Sequence, residues 1–276
     1  MRLGVHLPQF RDPTTGAEVA AAARAAEAAG ADDLWVSDHL LLPAGSSSPP
    51  ERFHDPLVVL TWAAAVTERA GLGTSVLVAP YRHPVVLAKA LASLDSLSNG
   101  RVICGIGSGW LEREFEALGA PFRERGARTD ETIRCCRALW SGADSFEGRW
   151  TRIDGMRLSP LPARAGGPPV WVGGNADAGI RRAVALGDGW HTTVASPERL
   201  AERLRTLEAA LSAAGRDRSR FVVSVRWRAR ADAVAELAPR LRALGVDHLL
   251  VDPLGVPVEE LHDEVAALRR AVDRAG

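Results

Sequence analysis

The chain of 276 residues is nearly devoid of lysine and tyrosine: Lys89 and Tyr81 are each the only residue of their kind, and arginine takes every other basic position. Such a bias reads as coding preference and carries no phosphate-binding pattern. Net charge is also missing. Lys+Arg and Asp+Glu both number 34, so no basic face is offered to nucleic acid. No run of about 18 apolar residues exists to cross a membrane. The opening MRLGVHLPQF has no charged leader followed by an apolar signal core, so a soluble cytoplasmic protein is expected. Cysteine is scarce too. Cys135 and Cys136 are neighbours within a helical pattern and Cys104 lies in an apolar run, so there is no disulfide framework and no metal spacing.

What the chain does have is alternation. Hydrophobic residues make up 46% of it, enough for one large core, and barrels of alternating strands and helices commonly run to about 250 residues. Strands are predicted at Leu3–Leu7, Asp33–Ser37, Gly73–Val78, Arg101–Ile106, Pro169–Gly173, Gly189–Thr193, Phe221–Trp227 and His248–Val251. Helices are predicted between and after them, at Ala17–Ala29, Pro56–Arg69, Pro84–Leu97, Ala127–Trp140, Asp177–Leu186, Pro197–Ala214, Ala231–Ala243 and Pro257–Arg274. Strict alternation of eight such units points to an α/β fold: a single closed (β/α)8 TIM barrel spanning residues 1–276. Gly30, Gly187, Gly215 and Gly245 follow apolar-periodic runs, where a left-handed helix cap favours glycine. One connection is out of scale. Between the fourth and fifth strands lies a long excursion whose segment Ser145–Pro162 breaks into hairpin-like pieces, and a loop of that length is expected to cover part of the active face. Ser46–Pro50, after the second strand, is placed where a lid could sit.

In this architecture chemistry gathers at the C-terminal strand ends. Those ends carry His6 and Gln9, Asp38 and His39, Ser75 and Val76, Gly107, Ser108 and Gly109, Gly173, Gly174 and Asn175, and His191. Asp38-His39 joins a carboxylate to the side chain that titrates near neutral pH, which suits proton transfer or contact with a polar ring; a capping Asp beside a half-exposed His is the plainer reading. His6 and His191 are open to the same two readings. Both glycine turns follow a strand and precede a helix, so they either present backbone N–H groups to an anion or only make a tight turn. Neither is GxGxxG, which argues against a Rossmann unit. Among eight tryptophans, Trp110 follows the strand-four turn and could wall off a planar ring. Trp62, Trp140 and Trp171 are expected in the core.

The segments WVSDH (35–39), GLGTSVLVAPYRHPVVLAKALASLDSLSNGR (71–101), GIGSGWLEREFEALGAPFRERGARTDE (105–131), PPVWVGG (168–174) and GDGWH (187–191) resemble the luciferase-like barrel oxidoreductases. They are most similar to the actinobacterial branch that uses the deazaflavin coenzyme F420. The resemblance implies that Asp38 and His39 meet the cofactor ring, with His39 beside the hydride-transfer centre. It implies a non-proline cis peptide at Ser75-Val76 under the ring, and a polar tail and phosphate held at Gly107–Gly109 and Gly173–Asn175. His6, Trp110 and His191 would face a small-molecule substrate, and the protein would be a homodimer. Two departures stand out. Trp110 occupies the position of the glutamate proton donor in the sugar-phosphate dehydrogenase relatives, which argues against sugar-phosphate oxidation. Ser108 replaces an arginine that helps hold flavin phosphate in the light-emitting enzymes, which favours F420 over FMN. The expected activity is therefore F420-dependent hydride transfer to or from a small organic substrate. An FMN monooxygenase is the alternative, and a non-catalytic ligand-binding barrel the third reading.

Overall fold

A computed structural model of the chain describes residues 1–10, 14–47, 49–253 and 255–275. The chain runs β1 (Arg2–His6), α1 (Gly16–Ala28), β2 (Asp33–Val36), α2 (Pro56–Ala64), β3 (Gly71–Thr74), β4 (Leu77–Val78), α3 (Pro84–Leu97) and β5 (Val102–Gly107). It continues α4 (Glu112–Ala117), α5 (Arg125–Trp140), β6 (Phe146–Glu147), β7 (Arg152–Ile153), β8 (Val170–Gly173) and α6 (Asp177–Leu186). The last units are β9 (Gly189–Thr193), α7 (Pro197–Ala213), β10 (Val222–Arg228), α8 (Ala231–Ala243), β11 (His248–Asp252) and α9 (Leu261–Arg274).

Parallel pairing follows the order β3-β2-β1-β11-β10-β9-β8-β5, and β3 pairs in turn with β5 through Leu72↔Val102 and Gly73↔Ile103. The sheet is therefore closed: a parallel eight-strand barrel with helices outside it. The third strand comes in two pieces, β3 and β4, divided by a cis peptide at Ser75-Val76. That is the bond the resemblance implied.

Local chemistry explains where the helices begin. Thr15 and Glu18 form a capping box on α1, while Asp55, His83 and Ser196 accept backbone N–H groups at the starts of α2, α3 and α7. Each of those three is followed by a proline at the first helical position, where the missing N–H costs nothing. Gly30, Gly215 and Gly245 have positive φ, as the helix ends require. Gly187 does not. Its φ is −99°, and a side chain there would press on the Ala183 carbonyl, the Gly189 carbonyl and Val172, so close approach and not a left-handed cap calls for glycine.

Trp35, fully buried, fills much of the barrel interior. Its indole leaves no room for a Cβ on Gly4 or Gly73, where that atom would come within 2.5 Å and 2.4 Å of the ring. Trp140 and Trp171 are in the core as expected, but Trp62 is 52% exposed. The apolar stripe of α2 is wider than the barrel wall can cover, so its outer edge faces outward.

The long excursion also departs from expectation. β6 and β7 form the anticipated hairpin, but it packs on α5, where the Glu131 carboxylate accepts from the backbone N–H groups of Arg149, Trp150 and Thr151 at 2.6–3.0 Å. The hairpin contributes nothing to the cavity described below; of the excursion, the Ser108–Trp110 turn lines it and α4 supports it through Glu114.

Candidate active site

A cavity of about 730 Å³ opens at the C-terminal rim of the barrel. Its wall includes Asp38, His39, Ser75, Val76, Gly107, Ser108, Gly109, Trp110, Gly173, Gly174, Asn175 and His191, so one pocket gathers all but two of the site residues read from the sequence. Gln9 is one exception and His6 the other. It lies buried beneath the rim, with Nδ1 donating to the Leu7 carbonyl and Nε2 bonded to Ser37 Oγ, and it does not face the cavity. Burial, together with the nearby Arg226, drives its pKa down to about 3, so it stays neutral. Gln9 is likewise a fully buried staple, bonded to Ser37 N, Ser37 O and His54 O.

Asp38 and His39 do different work. The Asp38 side chain is fully covered, its carboxylate taking two bonds from Arg82 at 2.6 and 3.0 Å and one from Val78 N at 2.8 Å. Arg82 also reaches Asp55, the cap of α2, so Asp38 ties the strand-two loop to β4 and the next helix. Burial raises the Asp38 carboxyl above the usual range despite these bonds. Asp38 thus borders the cavity while its carboxylate is engaged with Arg82 and Val78 N.

His39 is the group that faces inward. Its ring is edge-on to Phe53 and Trp110, with centroids 5.5 and 5.9 Å away. Nδ1 donates to Glu114 Oε2 at 2.8 Å, and Nε2 has no hydrogen-bond partner among the described residues. Glu114 is a site residue that sequence reasoning missed. It sits on α4 with a fully covered carboxylate that also accepts from Leu40 N (2.6 Å), Leu41 N (3.1 Å) and Tyr81 Oη (2.8 Å). Burial alone would raise its pKa; the bonds from His39, Leu41, Leu40 and Tyr81 outweigh that and hold it below the usual range. An ionised carboxylate on Nδ1 fixes ring orientation and tautomer, leaving Nε2 to exchange a proton with whatever lies in the cavity.

The glycine turns are shaped by Val76. A Cβ on Gly107 would come within 2.7 Å of a Val76 methyl, and one on Gly173 within 3.0 Å, so both glycines make room for the bulge. Gly109 (φ 76°) and Gly174 (φ 132°) have backbones that exclude other residues. Asn175 bridges the rim, donating to the Thr193 carbonyl and accepting from Thr192 Oγ1. Trp110, 63% exposed, stands at the mouth. Further lining residues missed in the sequence are Phe10, Phe53, Tyr81, Arg226, Arg228 and Asp252. Arg226 is partly buried, bonded to Ser37 Oγ at 2.8 Å and to Asp252 at 3.1 Å. The available signal was position: these last three side chains end the seventh and eighth strands of the barrel.

The profile of the luciferase-like monooxygenases matches residues 1–270. The chain belongs to that family. It is 30% identical over 269 residues to the uncharacterized protein Rv0953c of Mycobacterium tuberculosis, covering 92% of this chain and 93% of that one. It is 37% identical over 187 residues to the F420-dependent glucose-6-phosphate dehydrogenase of Nakamurella multipartita, covering 64% of this chain and 52% of that enzyme. Among solved structures, an F420-dependent secondary alcohol dehydrogenase in complex with an F420-acetone adduct superposes with a TM-score of 0.85 over 98% of both chains at 18% identity, which supports the fold. Within this family the chain is an oxidoreductase.

Proposed function

We propose that the protein transfers a hydride between coenzyme F420 and a small alcohol or carbonyl compound, with His39 handling the proton. The observation that carries this reading is the Glu114–His39 pair, which aims an unpartnered Nε2 at the cavity. Such a base is what removal of a hydroxyl proton requires as hydride leaves the adjacent carbon.

The residues present fit the cofactor. A volume of about 730 Å³ falls inside the roughly 300–1,000 Å³ typical of cofactor sites. The Val76 bulge offers an apolar surface for one face of a ring, and Gly174, at φ 132°, keeps a backbone conformation that side chains rarely adopt, so the turn presents bare backbone. Ser75 and Val76 would hold the ring portion, Gly107–Gly109 and Gly173–Asn175 the polar tail. Bound there, the cofactor supplies the hydride acceptor or donor; the chain supplies orientation, exclusion of water and the proton at His39 Nε2. The F420-dependent relatives support this cofactor, and Ser108, in place of a flavin-binding arginine, favours it over FMN.

Replacement of His39 by alanine tests the assignment. Single-turnover hydride transfer should fall by about 10² to 10⁴ with a much smaller change in cofactor affinity, the range of a positioned acid or base. An unchanged transfer rate would remove His39 from the mechanism.

We also propose that two copies pair through the face formed by α1, α2 and α3. Val58 (63% exposed), Trp62, Val86 (61%) and Leu97 (81%) lie on it around an apolar groove that continues over Ala17, Ala20 and Ala90. An apolar face of this kind on helices of one protomer is suited to an isologous contact with its own copy.

A further inference from the structure

The interior of a parallel barrel is normally packed with branched aliphatic side chains. Here it holds a row of polar groups that starts at two residues of the cavity wall, Ser75 and His191, and continues into the core beyond the site. Ser75 Oγ, on the cavity wall, lies 2.8 Å from His191 Nε2; His191 Nδ1 lies 2.8 Å from Ser224 Oγ; Ser224 Oγ lies 2.7 Å from His248 Nδ1. His248 Nε2 then faces Asp33 Oδ2 at 3.2 Å, off the line of a hydrogen bond, and Asp33 Oδ1 meets Arg2 Nη2 at 2.5 Å. Ser224, His248 and Asp33 are all fully buried, whereas Arg2 is half exposed at the N-terminal end of the barrel. The row therefore runs from the cavity, through the core, to the opposite end. Buried polar groups cost free energy that aliphatic packing would not, so their presence here calls for a use.

We propose that Ser75, His191, Ser224, His248 and Asp33 form a proton relay that links the cavity to the far end of the barrel. The inference rests on the hydride-transfer reading above for its use, but the relay is a property of the chain itself. The serine hydroxyls can accept a proton and release one from the same oxygen, and the histidine rings can accept on one nitrogen and release from the other. Burial, reinforced by His248 and Arg226, pushes His191 well below its ordinary pKa, so its ring is neutral and carries one donor and one acceptor nitrogen. Asp33 gives the row a direction. A carboxylate facing His248 Nε2 favours the proton on that nitrogen, which makes His248 Nδ1 an acceptor for the Ser224 hydroxyl. Ser224 Oγ in turn accepts from His191 Nδ1–H, and His191 Nε2 accepts from the Ser75 hydroxyl.

In one passage Ser75 takes a proton from a donor in the cavity and gives its own to His191 Nε2. His191 gives its Nδ1 proton to Ser224 and Ser224 passes one to His248 Nδ1, which leaves His248 an imidazolium paired in charge with the Asp33 carboxylate 3.2 Å away. One O–H or N–H bond forms for each that breaks, and no electrons move. A ligand that fills the cavity separates Ser75 from the solvent at the mouth, which leaves the barrel interior as the route for a proton released on that side. The stacked indole of Trp35, 5.3 Å from the His191 ring and within 6° of parallel, holds that ring in plane.

Nitrogen-15 spectra of the histidine rings in the ligand-free protein test the row directly. His248 should be protonated at Nε2 and His191 at Nδ1; Asp33→Asn should change the tautomer at His191, and Ser224→Ala should uncouple the two rings. The relay is overturned by His191 tautomers that are unchanged in Ser224→Ala, a variant that keeps the core volume if Asp33→Asn does not fold. Should F420 fail to bind, the hydride-transfer reading falls, while the ligand-free spectra still decide the relay.

Discussion

Glu114 sets the orientation of His39, and removing its charge while keeping its shape separates positioning from folding. In Glu114→Gln the amide oxygen still accepts from Leu40 N and Leu41 N, which lie 2.6 and 3.1 Å from Oε1 in the parent chain. The amide nitrogen now stands where Oε2 accepted from His39 Nδ1 and Tyr81 Oη, each at 2.8 Å, and a nitrogen donor cannot accept either bond. Two bonds to a charged acceptor are lost, each contributing about 1.5–3 kcal/mol. His39 and Tyr81 border the cavity and regain part of this from water, so a net loss of about 2 kcal/mol is expected, with the fold retained. Glu114→Ala strands the two backbone N–H groups as well and should cost about 2–4 kcal/mol, non-additively because the donors share one carboxylate. Turnover should respond in the other proportion. Without a carboxylate on Nδ1 the ring is free to rotate and to carry its proton on the wrong nitrogen, so single-turnover hydride transfer should fall by about 10² in Glu114→Gln. Urea unfolding and stopped-flow absorbance on one preparation give both numbers. A Gln variant that loses stability yet transfers hydride at the parent rate would refute the positioning role.

Acid should destabilise the fold in a window set by histidines. Because burial lowers the folded pKa of His6 to about 3 and that of His191 well below 6.5, the unfolded chain binds the extra protons; stability is complete above pH 6.5 and declines as pH falls, by about 1.4 kcal/mol per unit for each ring. Thermal midpoints between pH 7 and 5 should show that slope, and His6→Gln should flatten it; a flat profile in the parent protein would contradict the burial argument. For the paired helices, light scattering should give twice the chain mass for the parent protein and one chain mass for Trp62→Glu, and a monomeric parent would rule the interface out.

Much of the fold was legible because parallel strands buried on both faces read as apolar runs, and the helices between them carry their caps in sequence. What was misread was decided by distant contacts. The helix predicted to reach Arg69 stops at Ala64 because the Glu27 carboxylate, from α1, accepts the backbone N–H groups of Glu68, Arg69 and Ala70. Similarly, nothing local marks Glu114 apart from Glu112 and Glu116; only the fold shows that it alone turns under the strand-two loop. His6 looked like a rim residue by position and proved to be one layer too deep. Gly107 and Gly173 were read as anion cradles or turns, while the structure shows them yielding space to Val76, a contact between strands far apart in sequence. Arg226 and Asp252 escaped notice because the C-terminal third carries no distinctive motif, although their strand-end positions mark them once eight strands are counted.

Titration of the purified protein with coenzyme F420 and, separately, with flavin mononucleotide bears most directly on the proposed function. Binding of F420 should be at least tenfold tighter, a difference of about 1.4 kcal/mol that fluorescence quenching resolves easily. Equal affinities, or tighter binding of flavin mononucleotide, would contradict the deazaflavin assignment and favour the monooxygenase reading.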